Sequence, residues 1–161
     1  MTLDRLWAGW RAEYVGAAGD AVAGGECVLC RVLDEGSHLV WRGAKAAVIL
    51  NAYPYTSGHV MVLPLRHAGE LEDLDGPEAA ELWAAVADAV RAIKAAYRPH
   101  GLNVGANLGR AGGAGVPGHL HVHVVPRWDA DTNFMTSVAE TRVLPESLDA
   151  SHERLRSAWP T

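Results

Sequence analysis

Three histidines spaced two apart, His119, His121 and His123, interrupt an otherwise apolar run, Gly118-His119-Leu120-His121-Val122-His123-Val124-Val125-Pro126-Arg127. The alternation and the β-branched residues between them predict a half-buried strand with a period of two. Successive side chains of a strand point to opposite faces, so the three imidazoles are expected on one surface, with Leu120, Val122 and Val124 on the other. Adjacent rings would then stand roughly 6.6 Å apart. Imidazole serves as nucleophile, acid/base or metal ligand, and three chemistries compete for this arrangement. One ring can attack phosphorus and form a transient phospho-linked histidine, dividing one displacement into two. Nearby amides and rings would then stabilise charge on the non-bridging oxygens. Alternatively, the three rings hold a catalytic metal with one open position. In the third case they supply only structural ligands, or bind a nucleotide without turnover. The plain alternative is three rings on a solvated strand face.

Both cysteines fall in one element, Cys27-Val28-Leu29-Cys30. In a reducing compartment this spacing suggests metal binding or a redox dithiol rather than a structural bridge, with a pair of inert thiols as the plain alternative. A zinc site takes about four nitrogen, sulfur or carboxylate ligands. His67, which follows a strand signal, and His119 are the candidates for the remaining two. No βαβ unit surrounds the motif, which disfavours a thioredoxin-like reading.

The elements that must position these groups are legible in outline. Strand signals run over 39–42 and 46–51, followed by a turn-rich connection through Tyr53, Pro54, Tyr55, Thr56 and Ser57. A strand at 59–64 is apolar on both faces, which predicts a central position. Asp75-Gly76-Pro77-Glu78 opens a helix whose stripe of Leu82, Val86, Ala89, Ile93 and Tyr97 continues to Arg98, and Pro99 ends it. That stripe reads as core rather than as a cofactor box. A strand at 102–106 leads into Asn107 and a loop holding Gly109, Gly112, Gly113 and Gly115. So many glycines let the backbone approach a ligand closely and present its amides. No helix with Lys-Ser/Thr follows, so the loop fits neither a Walker loop nor a dinucleotide fingerprint. After the histidine run come Trp128, a polar turn over 129–133, then Phe134 and Met135. A C-terminal helix is expected from near Pro145, carrying Leu148, Leu155 and Trp159. At the other end, Trp7, Trp10 and Tyr14 suggest a short segment docking on the body of the protein or on a partner.

At 161 residues the chain fits one domain with appended ends: an N-terminal extension over 1–26, a main domain over 27–127, and a C-terminal segment with a helix over 128–161. A composition 49% hydrophobic and 20% charged is ordinary for a globular protein able to bury a core. The formal net charge of -5 gives no global cationic field toward nucleic acid or membrane, so neither is an expected partner. A nucleotide substrate stays open, because local donors can bind phosphate against that charge. Asp4, Arg5, Arg11 and Glu13 interrupt any signal pattern. No run approaches the roughly 18 to 20 apolar residues of a spanning helix, and a cytoplasmic location is expected.

The run His119-Leu120-His121-Val122-His123-Val124-Val125 resembles the histidine triad signature. Leu50-Asn51-Ala52-Tyr53-Pro54-Tyr55-Thr56-Ser57-Gly58-His59-Val60-Met61-Val62-Leu63-Pro64 resembles the strand–turn–strand half of that family's nucleotide site. Pro126-Arg127-Trp128, Asp131-Thr132-Asn133-Phe134-Met135 and the stretch over 140–146 resemble the bacterial branch of diadenosine tetraphosphate phosphorylases. The resemblance covers about residues 27 to 127. It implies an α+β histidine triad fold, an antiparallel sheet of about five strands with a long helix packed on it, and a homodimer joined through that helix and a strand. It implies His121 as the nucleophile toward the α-phosphorus, His123 at the phosphate or scissile region, and His59 as their neighbour. Asn51 would hold the ribose hydroxyls and Asn107 would contact phosphate. Structural zinc would be held by Cys27, Cys30, His67 and His119. Relatives that hydrolyse phosphoramidates or dinucleotides often carry Ser, Thr or Gln just before the triad. Gly115, Val116, Pro117 and Gly118 stand there in this chain, so backbone amides of Gly115 or Val116 are expected to contact phosphate instead. The favoured reaction is cleavage of a dinucleoside polyphosphate, resolved by phosphate or by water. The alternatives are a phosphoramidate hydrolase releasing a nucleoside monophosphate and a nucleotide-binding regulator with little turnover.

Overall fold

The computed structural model describes residues 26–131 and 144–160. The expected docking of Trp7, Trp10 and Tyr14, and the stretches around Phe134, Met135 and 140–143, lie outside the described residues. Within them, five strands form one sheet: β1 (Leu39–Arg42), β2 (Ala46–Leu50), β3 (Val60–Pro64), β4 (Gly101–Ala106) and β5 (Val122–Arg127). Their order is β1-β2-β3-β5-β4, with every pairing antiparallel. Helices α1 (Val28–Glu35), α2 (Gly76–Tyr97) and α3 (Leu148–Ser157) complete an α+β arrangement. β3 is the middle strand and all of it but Met61 is buried, as apolar residues on both faces predict.

The two faces of the sheet have different partners. Val48, Leu50, Val60, Val62, Val122 and Val124 pack with Leu82, Val86, Ala89 and Ile93 of α2 and with Leu155 of α3. The alternate residues Ala47, Ile49 and Leu63 pack on the other face against Leu29 and Leu33 of α1. Fully burying a large aliphatic side chain is worth about 1.5–3 kcal/mol, so the α2 face is the main source of stability. His123 falls on the α1 side by the same alternation, and His59 and His121 gather against it with ring centroids 5.1 and 5.0 Å away.

Sequence dictates where α2 starts. Asp75 Oδ1 accepts from Glu78 N at 2.6 Å and Glu78 Oε2 accepts from Asp75 N at 3.0 Å, a reciprocal capping box with Pro77 in the first turn. Arg66 also grips Glu78, donating from Nε at 2.9 Å and Nη2 at 2.7 Å. These bonds, Arg66 first, hold the Glu78 carboxyl down at about 2. The helix closes at Arg98, which adopts φ 48° before Pro99.

α1 is not announced by the sequence signals above. It is eight residues long and its N-cap, Cys27, makes no side-chain cap bond. Gly36, at φ 69°, closes its C-terminus with a bond from its N–H to Val32 O at 3.0 Å, yet so short a helix is marginal alone and exists by packing Leu29 and Leu33 on the sheet. At the other end, α3 begins at Leu148, where Ser147 Oγ accepts from Ala150 N at 3.2 Å. Trp159 lies beyond this helix and stacks on Trp41, ring centroids 5.7 Å apart.

The histidine run departs from the expected strand. β5 begins at Val122, so His119 and His121 lie on its lead-in. β5 residues Val122, His123 and Val124 pair with Val62, Met61 and Val60 of β3. Further up β3 stands Pro64, which has no N–H to extend a ladder. The incoming chain bonds elsewhere: Leu120 N donates to Ala68 O at 2.7 Å and His119 N to Val116 O at 3.3 Å.

Candidate functional site

Because the lead-in is not a regular strand, the three histidines are not equivalent. His121 and His123 face each other, with ring centroids 5.0 Å apart and planes at 80°. His119 instead turns toward His67, ring centroids 5.3 Å apart, so the expected single surface of three evenly spaced rings does not form.

Hydrogen bonds fix which nitrogen of each ring carries the proton. His121 Nδ1 lies 2.8 Å from the His119 carbonyl oxygen, which can only accept, so the His121 proton sits on Nδ1 and Nε2 keeps its lone pair. His59 Nδ1 accepts from the Tyr55 backbone N–H at 3.1 Å. Its Nε2–H therefore donates to His123 Nδ1 at 2.9 Å. That leaves the His123 proton on Nε2. Burial, helped by the nearby His121, pulls His123 down to about 4, so it is neutral near pH 7. One ring of the facing pair thus offers a lone pair and the other an N–H.

The loop between β2 and β3 builds the rest of this cluster. Asn51 is buried, its Oδ1 accepts from Tyr53 N at 2.9 Å, and its Nδ2 lies 3.4 Å from both ring nitrogens of His59. Tyr55 leans on His59 with ring centroids 4.6 Å apart and on His123 at 6.0 Å. Thr56 Oγ1 ties the loop to the Pro126 carbonyl of β5 at 2.8 Å. The structure thereby brings together His59, His121, His123 and Asn51. Asn107 is turned elsewhere: its Nδ2 donates to Gly113 O of its own loop at 3.3 Å. Val116 packs against the α1 cluster while its carbonyl receives His119 N, and Gly115 precedes it, half-buried. Sequence reasoning missed Tyr55, because a backbone N–H carries no side-chain signature.

A second cluster forms where α1 meets the histidine lead-in. The ligand atoms of Cys27, Cys30, His67 and His119 all lie within 4.8 Å of one another. His119 Nδ1 is 3.5 Å from both Cys27 Sγ and Cys30 Sγ, and His67 Nδ1 is 3.4 Å from Cys30 Sγ. Tetrahedral zinc with ordinary Zn–S and Zn–N lengths would separate sulfur and nitrogen by about 3.6 Å, so the donor set fits that ion. His119 Nε2–H donates to Pro64 O at 2.9 Å, which orients the ring and leaves Nδ1 free to ligate. Burial keeps His119 below the usual imidazole range. Burial and then Cys27 push the Cys30 thiol up to about 11, and a bound cation reverses that preference by coordinating the thiolate.

Comparison with known proteins agrees with this geometry. The HIT domain family model matches residues 34–130. The chain is 41% identical to a Mycobacterium tuberculosis protein named AP-4-A phosphorylase, over 98% of this chain and 85% of that one. Among solved structures, a histidine triad nucleotide-binding protein of Sulfolobus tokodaii shares 29% identity at a TM-score of 0.69, covering 82% of this chain and 91% of that one. A zinc-bound histidine triad family protein of Mycobacterium smegmatis shares 28% identity at a TM-score of 0.68, covering 83% of this chain and 92% of its own. Sequence and fold agree that this chain belongs to the HIT domain family, the histidine triad proteins.

Proposed function

We propose that this protein cleaves dinucleoside polyphosphates through a nucleotidyl-histidine intermediate on His121. The observation that carries the reading is the 2.8 Å bond from His121 Nδ1 to the His119 carbonyl, which leaves the Nε2 lone pair to act as nucleophile. Nε2 attacks the α-phosphorus, an N–P bond forms, and the P–O bond to the remaining polyphosphate breaks. His123, with its proton on Nε2, hydrogen-bonds the phosphate oxygens as charge develops. The oxygen of a second substrate then attacks phosphorus, loses its proton, and returns His121 with its lone pair. The name of the M. tuberculosis relative supports inorganic phosphate as that second substrate. So does the stretch from Gly115 to Gly118, which offers no side-chain donor where hydrolysing relatives often carry one.

In this reading Asn51 reaches the ribose through Nδ2 or the remaining lone pair of Oδ1. The amides of Gly115 and Val116 face phosphate, and Asn107 joins them once its Nδ2 exchanges the Gly113 carbonyl for the substrate. Residues 27–127 form the catalytic unit, 1–26 an extension, and 128–161 a C-terminal segment. Cys27, Cys30, His67 and His119 hold structural zinc; the ion supplies rigidity and takes no part in the transfer. Two copies of the chain join through β4 and α2, a reading supported by β4 being an outer strand with its residues 103–106 exposed and by the half-exposed Trp83 on α2. Among the described residues no helix is long and apolar enough to cross a membrane.

The deciding experiment is incubation with diadenosine tetraphosphate, with and without inorganic phosphate, resolving the products. ADP and ATP formed only with phosphate support the phosphorylase reading. AMP and ATP formed without it make the protein a hydrolase. No turnover of the dinucleotide, with release of a nucleoside monophosphate from a phosphoramidate, overturns the substrate assignment.

A further inference from the structure

Tyr97, in the last turn of α2, stands behind the loop that carries Tyr55 into the site. A Cβ added at Gly58 would lie 2.7 Å from Tyr97 Cε2 and 3.0 Å from Cδ2, and Gly58 itself has φ +82°. The ring therefore abuts the α-carbon just before His59, where glycine alone fits without displacing it. The C-terminal segment grips the same ring. Tyr97 Oη donates to Glu146 Oε1 at 2.8 Å, Arg154 Cζ lies 5.1 Å from the ring centroid, and Arg154 pairs with Glu146 at 3.3 Å. Trp128 meets the ring edge-on at 6.4 Å. The Glu146 side chain is only 12% exposed, so this pairing is better sheltered than an ordinary surface ion pair.

The loop resting on Tyr97 also delivers the Tyr55 N–H to His59 Nδ1 at 3.1 Å. That bond sets the tautomer of His59, and His59 sets that of His123 across 2.9 Å. We infer that Tyr97, clamped by Glu146 and Arg154, is a positioning residue for His123, acting through Gly58 and the Tyr55 backbone. None of the three touches the reacting atoms. The segment beyond the histidine strand is thereby a working part of the site it lies behind.

The kinetic half of the test rests on the proposed nucleotidyl transfer, and the spectroscopic half does not. Tyr97→Leu and Tyr97→Phe are compared with Trp159→Leu, which removes the Trp41 stack in the same terminal segment without touching Tyr97. Long-range proton–nitrogen spectra of the free proteins at neutral pH, each first matched to wild type by circular dichroism, report the imidazole tautomers. Tyr97→Leu is expected to mix the tautomers of His59 and His123 and to lower kcat roughly tenfold or more, with KM moved by less than about threefold. Tyr97→Phe keeps the ring and is expected to retain single tautomers and most of kcat. Trp159→Leu is expected to retain both. The inference is overturned if Tyr97→Leu keeps wild-type tautomers and kcat, or if Trp159→Leu reproduces its effects. If the wild-type protein turns over no dinucleotide, the functional reading fails and the spectra still decide the positioning role.

Discussion

His119 and His121 are two residues apart, both buried, and yet do opposite things. His119 uses both ring nitrogens within the protein, Nε2 on the Pro64 carbonyl and Nδ1 toward two thiols. Among the described residues, His121 bonds through Nδ1 alone, to the carbonyl of His119 itself, and keeps Nε2 in reserve. The difference is which nitrogen a backbone carbonyl holds and what faces the other one. Residue type and burial are the same in both. In the proposed reading, the hydrogen bond on its far side decides whether a histidine serves as ligand or as nucleophile.

The largest expected effect tests the nucleophile side of that contrast. His121→Ala should lower kcat by roughly 10⁴-fold or more while nucleotide binding, read by calorimetry, persists. A variant that retains turnover would remove His121 from the chemistry. The ligand side is tested by Cys30→Ser or by chelation. If the proposed zinc is held there, either should release it, measured by elemental analysis, and lower the melting temperature substantially, because the affinity of a structural metal is folding free energy. If chelated protein keeps its fold but loses all turnover, the division between the two clusters breaks down.

A smaller effect follows from His123, held near 4 against an ordinary value of 6.5. Between those values the unfolded chain takes up a proton that the folded protein does not, so protonation favours unfolding. Stability from this group is therefore full above pH 6.5 and falls as pH drops toward 4. The melting temperature of wild-type protein should fall over that window more than that of His123→Gln. Equal slopes would show that His123 is not held neutral. The smallest effect belongs far from either cluster. Asp75→Ala removes the capping bond to Glu78 N and should cost about 1 kcal/mol of stability with kcat and KM unchanged.

What the sequence disclosed depended on whether the signal was carried by side chains. The capping box at Asp75 and Glu78, the apolar stripe of α2 and the two-faced β3 are written in residue types, and each element forms within a residue or two of its expected bounds. The four-ligand group also follows from residue types, and its atoms converge. The irregular lead-in at His119–His121 was hidden because it depends on a missing N–H at Pro64 and a backbone bond to Ala68. Asn107, expected to face phosphate, bonds Gly113 because a glycine-rich loop lets its own carbonyl come near. Helix α1 was hidden for a different reason, since eight residues with no side-chain N-cap become a helix by packing Leu29 and Leu33 on the sheet.

The strand order has a consequence for how the molecule comes into being. β5 is the last of the described strands in sequence but lies between β3 and β4, which come earlier. β1, β2 and β3 can zip together as a local meander, while β4 has no neighbour until Val122–Arg127 arrives. Closing that gap joins residues far apart in the chain, the slow kind of contact. His123 and the lead-in bearing His119 and His121 come with the same strand. The histidine cluster and the four-ligand group are thus both deferred to the closing step of folding, and a chain stopped short of Val122 would expose the bare edge of β3, an invitation to aggregation.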